Sequence, residues 1–141
     1  MKNKIYSIAL AFTIMFAGAC KKEDSSPSGS GVLSMSETIT SGTWRVSFFH
    51  EDNADHTSDF NGYTFAFNSS GTMAAIHSSG TTSGTWHIDD SEAHEFHMSI
   101  GSIEPLTCLD RSWRVTSNTG SEVQLGDDSG SSDRALHFTK L

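Results

Sequence analysis

The segment GYTFAFNSSGTMAAIH, residues 62–77, decides the fold class of this chain. Aromatic and smaller side chains alternate along residues 63–68, which is the two-residue period of a β-strand with one buried face. The tetrapeptide NSSG, residues 68–71, is typical of a tight turn, and residues 72–77 are again compatible with a strand. The segment therefore predicts a β-hairpin.

Similar short segments, rich in β-branched and aromatic residues, recur along the rest of the chain between clusters of Gly, Asn, Ser and Asp. We predict further strands at residues 44–48, 85–88, 94–100, 113–117, 122–125 and 135–139. A short helix or turn is expected at residues 103–109, because Pro105 cannot donate to a strand ladder. About eight short strands joined by tight turns predict an all-β domain, either an antiparallel up-and-down barrel or a strongly curled antiparallel sheet.

The N-terminus has the pattern of an export signal. Lys2 and Lys4 are followed by the apolar residues 5–19, a run shorter than the roughly 20 residues of a membrane-spanning helix. The sequence AGAC, residues 17–20, resembles the bacterial lipobox, which implies lipidation of Cys20. The same residues also fit an ordinary signal peptidase site, which would release a soluble periplasmic protein. The charged and Ser/Gly-rich residues 21–31 are typical of a flexible tether and favour the lipidated alternative.

These features divide the chain into a lipoprotein signal peptide (residues 1–19), a lipidated cysteine with its tether (residues 20–36) and a barrel domain (residues 37–141). The start CKKED resembles that of lipoproteins carried to the outer membrane, in some cases to the cell surface. We therefore expect the lipid anchor to attach the protein to that membrane. Cys108 is then left without an intramolecular partner, either as a buried small hydrophobe or as a free thiol that pairs between chains.

The net charge limits the expected classes of binding partner, and the composition indicates how the core is built. The formal net charge is -8, and cleavage of the signal peptide would remove two positive charges, so nucleic acid is not an expected partner. Hydrophobic residues make up 35% of the chain and aromatics alone 10%, so the core must depend on a few large rings.

A repeated motif gives the resemblance to a family. SGTWRV at residues 41–46 and SGTWHI at residues 83–88 each place a glycine before a strand and a tryptophan where it can plug a barrel end. Together with the hairpin at residues 62–77, they resemble the small lipocalin-like domains of bacterial surface lipoproteins. The resemblance implies a calycin-type barrel and a ligand-binding role. The long capping helix of that family has no counterpart in this sequence.

The large side chains of one strand face form a candidate ligand cavity inside the barrel: Trp44, Phe48, Tyr63, Phe65, Phe67, Trp86, Phe96 and Trp113. The alternative is a closed core, since eight strands enclose a space only just wide enough for their own side chains. Three functions follow: binding of a small hydrophobic ligand or an envelope partner, an accessory role with a filled barrel, or glycan contact through exposed Phe49 and Phe60.

Other patterns give no support for catalysis or a metal site. His94 and His97 would point to opposite faces of a strand, and the acidic residues 51–59 lack the central glycine of an EF-hand loop. GDDSG at residues 126–130 predicts a turn, because one small barrel cannot form the two-barrel cleft of a chymotrypsin-like protease. We therefore expect a non-enzymatic protein without cofactor or bound metal.

Substitution of the anchoring cysteine tests this organisation. We expect Cys20→Ala to move the protein from the membrane fraction to the soluble fraction, because no acyl chains remain. Mass spectrometry of the wild-type N-terminal peptide should find a triacylated Cys20. An unmodified, soluble wild-type chain would instead show cleavage by ordinary signal peptidase.

Overall fold

The computed structural model describes residues 34–89, 94–130 and 133–141. The predicted signal peptide, Cys20 and residues 21–33 of the predicted tether lie outside the described residues. Within the described ranges the strands are β1 (Thr43–Glu51), β2 (Ala54–Asp55), β3 (Thr64–Phe67), β4 (Thr72–His77), β5 (Gly80–Asp89), β6 (Glu95–Ser99), β7 (Arg111–Asn118), β8 (Glu122–Asp127) and β9 (Arg134–Lys140). One α-helix, α1 (Met35–Thr40), and two 3₁₀ helices, η1 (Thr57–Phe60) and η2 (Leu106–Leu109), complete this part of the chain.

The strands form a closed antiparallel barrel, which confirms the predicted fold class. From β3 to β9 each strand pairs with the next, β1 pairs with β3, and β1 also pairs with β9 from Trp44↔Lys140 to Glu51↔Arg134. Eight strands therefore close the barrel, and the two-residue β2 folds back on the end of β1. We call the end where β1 begins the lower end and the end where β1 finishes the upper end. None of the helices in the described residues is long and apolar enough to span a membrane.

Helix α1 packs at the lower end of the barrel and was not predicted. A capping box begins it, in which Ser34 and Glu37 each accept a hydrogen bond from the other's backbone N–H. Ile39 is fully buried, and its carbonyl oxygen accepts a 2.8 Å hydrogen bond from the Trp44 indole. The predicted domain boundary at residue 37 therefore falls inside this helix.

The repeated tryptophans have parallel roles at the lower end. The Trp86 indole donates to the carbonyl oxygens of Asn68 and Thr72, at 2.9 and 3.1 Å, and so ties the β3–β4 turn to the barrel. Gly84, however, lies within β5 and does not begin it. A side chain there would bring Cβ within 2.3 Å of the Ser99 carbonyl oxygen, so this glycine permits a close approach of two backbones.

The core is built from side chains that alternate along the strands and point into the barrel. Its largest members have less than 2% of their surface exposed: Trp44, Phe49, Phe65, Phe96, Trp113 and Phe138. The rings contact one another in edge-on and tilted arrangements, for example Phe65 and Phe138 with centroids 5.4 Å apart. Among the described residues, nine of the twenty buried hydrophobic residues are aromatic, so large rings form much of the core and non-aromatic side chains supply the rest.

The prediction that Phe48 points inward is wrong. The register between β1 and β9 shifts between Val46 and Phe48, which marks a β-bulge at Ser47. One extra residue reverses the alternation, so Phe49 is buried and Phe48 is only partly buried. The Phe48 ring contacts the His137 ring on the outer surface, with centroids 5.0 Å apart.

A matched pair of substitutions in α1 tests its packing. The Thr38 hydroxyl is buried without a hydrogen-bond partner, whereas the Thr40 hydroxyl donates to the Ser36 carbonyl oxygen at 2.7 Å. We expect Thr38→Val to leave the free energy of unfolding unchanged or raise it by about 1 kcal/mol, because no bond is lost. Thr40→Val should lower it by about 0.5–1 kcal/mol. Urea denaturation measures both, and a larger loss in Thr38→Val would contradict this packing.

Candidate functional site

The interior of the barrel is filled with its own side chains. Trp44, Phe65, Phe96 and Trp113 have no accessible surface, so no space large enough for a water molecule touches them. Phe67 and Trp86 are 3% and 6% exposed. The predicted cavity around these rings is therefore not formed, because the rings occupy the narrow interior themselves.

Tyr63, another residue of the predicted cavity, lies at the upper end of the sheet. Its ring stacks on the ring of His77, with centroids 4.7 Å apart and planes 25° apart. It packs against the core while remaining partly exposed. Tyr63 therefore covers the end of the core and does not line a space within it.

A layer of charged side chains replaces the aromatic core at the upper end. On four strands the inward position next to the last buried hydrophobe carries a charge, and we call these residues the charged layer: Glu51, Arg111, Asp127 and Arg134. A sequence signal for this layer existed, since each charge stands two residues from a core residue, as in Arg-x-Trp at 111–113 and Leu-x-Asp at 125–127. The charged layer is not among the features predicted from the sequence.

Ion pairs join the charged layer into one network. The Arg134 Nε and Arg111 Nη2 atoms lie 2.7 and 3.2 Å from Glu51 Oε1, and Arg134 Nη1 lies 2.9 Å from Asp127 Oδ2. Hydrogen bonds from Ser129 and the Arg134 guanidinium lower the pKa of Asp127 to about 2. The same partners, Glu51 first and then Asp127, raise the pKa of Arg134. The network holds four strand ends in register.

A cavity of about 350 Å³ lies above the charged layer, between η1 and η2. Its walls combine apolar groups with carboxylates, a histidine and a thiol: Phe49, Glu51, His56, Asp59, Phe60, Glu104, Pro105 and Cys108. We call this space the upper cavity. It brings together residues from two connections that are far apart in the sequence.

Short hydrogen bonds fix the first wall of the upper cavity to β1. The His56 N–H donates to the Phe49 carbonyl oxygen, and the Phe49 N–H donates to Thr57 Oγ1, both at 2.8 Å. The Thr57 N–H in turn donates to the Asp55 carboxylate at 2.8 Å. The start of η1 is thereby held on the strand that carries Phe49 and Glu51.

A single carboxylate fixes the second wall to β6. Asp110 accepts hydrogen bonds from the N–H groups of Ile100 and Gly101, at 3.1 and 3.2 Å, and from the Ser99 hydroxyl at 3.2 Å. The indole of Trp113 donates to the Leu109 carbonyl oxygen at 3.2 Å. These bonds place η2, which agrees with the short helix or turn predicted for residues 103–109, over the mouth of the barrel.

Two rings predicted to be exposed for glycan contact are buried instead. Phe49 is 1% and Phe60 is 3% exposed, and the rings meet edge-on with centroids 5.2 Å apart. The bulge at Ser47 turns Phe49 inward, and η1 folds Phe60 over it. Their edges form the apolar wall of the upper cavity, so neither ring is exposed for the glycan contact predicted from the sequence.

Cys108 is a free, partly buried thiol on the wall of the upper cavity. Its Sγ atom lies 3.4 Å from Glu104 Oε2, as donor to that carboxylate. Burial and, next, the Glu104 carboxylate raise the pKa of this thiol to about 11. The thiol therefore stays protonated and is a poor nucleophile at neutral pH.

Two further cavities lie outside the barrel. One of about 460 Å³ adjoins α1 and the β3–β4 turn at the lower end, with Met35 and Trp86 among its walls. Another of about 270 Å³ lies on the outer wall beside His87 and His97, whose rings stack with centroids 4.3 Å apart. Across residues 34–89, 94–130 and 133–141, no three His, Cys, Asp or Glu side chains are grouped as a metal site.

The lowered pKa of Asp127 in the charged layer predicts that the free energy of unfolding depends on pH. Because the pKa of Asp127 falls to about 2 in the folded protein, its stabilisation is present above about pH 4 and is lost as the pH falls through 2. We expect Asp127→Asn to lower the free energy of unfolding at pH 7 by about 1–2 kcal/mol and to flatten its slope between pH 4 and 2. Thermal unfolding across this range measures both.

The control for that prediction is Asp52→Asn, the same change at an exposed turn residue of positive φ, a conformation that asparagine also adopts. It should leave the slope unchanged. An equal response of the two variants would contradict the role given to the charged layer.

Comparisons with known proteins support the fold. No protein-family model and no curated protein matches the sequence. The crystal structure of a DUF4847 family protein from Bacteroides vulgatus aligns with a TM-score of 0.56 and 15% identity, covering 75% of this chain and 96% of that one. A lipocalin-like protein from Bacteroides uniformis aligns with a TM-score of 0.54 and 12% identity, covering 74% and 99%. At these identities the likeness shows the fold alone, and the barrel described here has the lipocalin-like fold.

Proposed function

We propose that this chain is a lipid-anchored outer-membrane lipoprotein whose barrel binds a small apolar molecule in the upper cavity, without catalysing a reaction. The observation that carries the proposal is the upper cavity itself. Its volume of about 350 Å³ falls within the roughly 300–1,000 Å³ of small-molecule sites. An apolar wall with a few fixed polar groups is the usual composition of such sites.

The anchoring part of this proposal rests on the sequence. A lipobox-like AGAC at residues 17–20 and a charged, Ser/Gly-rich stretch at residues 21–31 precede the barrel. A flexible tether of this kind would let the domain reach out from the membrane by some tens of ångströms. The barrel would then meet its ligand away from the lipid surface.

A second candidate function is an accessory role in an envelope complex. The filled barrel interior favours it, because no internal space is left for a ligand. Ile103, 63% exposed in the β6–β7 connection, provides an apolar contact near Pro105 on the rim of the upper cavity. An envelope protein would then bind this rim.

Matched cavity-filling substitutions test the ligand-binding proposal. The protein is the predicted mature chain, residues 20–141, with Cys20→Ala, so that no acyl chain competes for the apolar probe N-phenyl-1-naphthylamine. Cys108→Phe fills the upper cavity, and Ser69→Phe adds the same ring to the lower-end cavity. We expect probe fluorescence to give at least tenfold weaker binding in Cys108→Phe and unchanged binding in Ser69→Phe.

Near-ultraviolet circular dichroism identifies variants that have lost their packing. If a folded Cys108→Phe variant binds the probe as well as the parent, the upper cavity is not the binding site. If the parent does not bind the probe, the accessory function is favoured.

A further inference from the structure

We infer that the upper cavity selects a small organic cation, an ammonium or amidinium group carried on an apolar body. This inference rests on the proposed function and adds the chemical class of the ligand. Three observations support it: the charged groups that line the cavity are acidic, the nearby guanidiniums are already paired, and one carboxylate has only a weak hydrogen-bond donor.

The charged groups that line the upper cavity are acidic. Glu51, Asp59 and Glu104 supply three carboxylates, and none of the described residues that line the cavity is a lysine or an arginine. His56 is the one lining residue that can become cationic, and its Nδ1 atom already lies 3.2 Å from Asp59 Oδ2. A ligand in this space therefore meets an excess of negative charge.

The two guanidiniums of the charged layer do not reverse this balance. Arg134 and Arg111 both contact Glu51 Oε1, and Arg134 also contacts Asp127. Glu51 lines the cavity and pairs with both guanidiniums, whereas neither Arg111 nor Arg134 lines the cavity. An anionic ligand would have to displace the Glu51 carboxylate, whereas a cation could pair with the carboxylates of the cavity wall without displacing any of them.

Glu104 is the carboxylate best placed to bind the cation. Its described contact is a hydrogen bond from the Cys108 thiol, a weak donor, at 3.4 Å. It shares the cavity wall with Pro105 and faces a space that also contains the edges of Phe49 and Phe60. An ammonium group there would exchange a thiol for a charge-assisted hydrogen bond while its apolar body covers the rings.

The charge of the whole chain favours the same class of ligand. The formal net charge of -8 produces a negative potential around the barrel, which raises the local concentration of cations and the rate at which they arrive. This contribution weakens with salt.

Three naphthalene compounds that differ in charge test the inference: 1-naphthylmethylammonium, 1-naphthalenemethanol and 1-naphthoate. Each is titrated at pH 7 against N-phenyl-1-naphthylamine bound to the mature chain with Cys20→Ala. We expect the ammonium compound to displace the probe at a concentration at least tenfold lower than the alcohol does, and the carboxylate to be the weakest. The ammonium compound should also slow alkylation of Cys108 by iodoacetamide at pH 8, where the compound is still mostly protonated.

Two carboxylate substitutions locate the charge that matters. Glu104→Gln should remove the tenfold advantage of the ammonium compound over the alcohol. Glu122→Gln makes the same change on β8 at the lower end, where Glu122 lies beside Gln124, and should preserve the advantage.

The outcomes separate this inference from the proposed function. Equal displacement by all three compounds, or tighter binding of the carboxylate, would overturn the cation inference and leave ligand binding standing. An advantage of the ammonium compound that survives Glu104→Gln also overturns it. Absence of binding by the probe and by all three compounds would overturn the proposed function itself.

Discussion

The narrow interior of an eight-stranded barrel is the constraint on which the rest of this structure depends. Pairing of β1 with β9 closes the sheet, and the inward tryptophan and phenylalanine rings then leave no space that a water molecule can enter. Any small-molecule site must therefore lie outside this interior. Helix α1 packs on the lower end through the bond between Ile39 and Trp44, beside the lower-end cavity, and the upper end carries the cavity that we propose as the binding site.

The charged layer explains why the upper end does not close in the same way. Buried charges are stable only when they are paired, and the pairs here join β1, β7, β8 and β9 at the mouth of the barrel. A layer of carboxylates and guanidiniums cannot collapse into the aromatic core beneath it, because the polar groups need hydrogen-bond partners. The two short 3₁₀ helices therefore rest above the layer and enclose the upper cavity. The lower end is thus stabilised by packing against α1, and the upper end by the ion pairs of the charged layer.

The sequence predicted the strands well because alternation is a local property; β4, Thr72–His77, has the predicted bounds. It failed at Phe48, since a one-residue bulge reverses the alternation without leaving a periodic signal. The capping box of Ser34 and Glu37 was a readable sign of α1, but a six-residue helix has too little periodicity to be predicted. The upper cavity could not be predicted, because hydrogen bonds such as those of Asp110 set the loop positions and leave no periodic signal in the sequence.

The barrel interior is filled, and we propose that a ligand binds above it in the upper cavity. The most direct measurement is a ¹⁵N correlation spectrum of the three tryptophan indole N–H groups during titration with 1-naphthylmethylammonium. The Trp113 indole lies beneath η2, bonded to Leu109, whereas the Trp44 and Trp86 indoles are bonded to lower-end carbonyl groups. We expect a concentration-dependent shift of the Trp113 signal alone. Shifts of the Trp44 or Trp86 signals with Trp113 unchanged would contradict binding in the upper cavity.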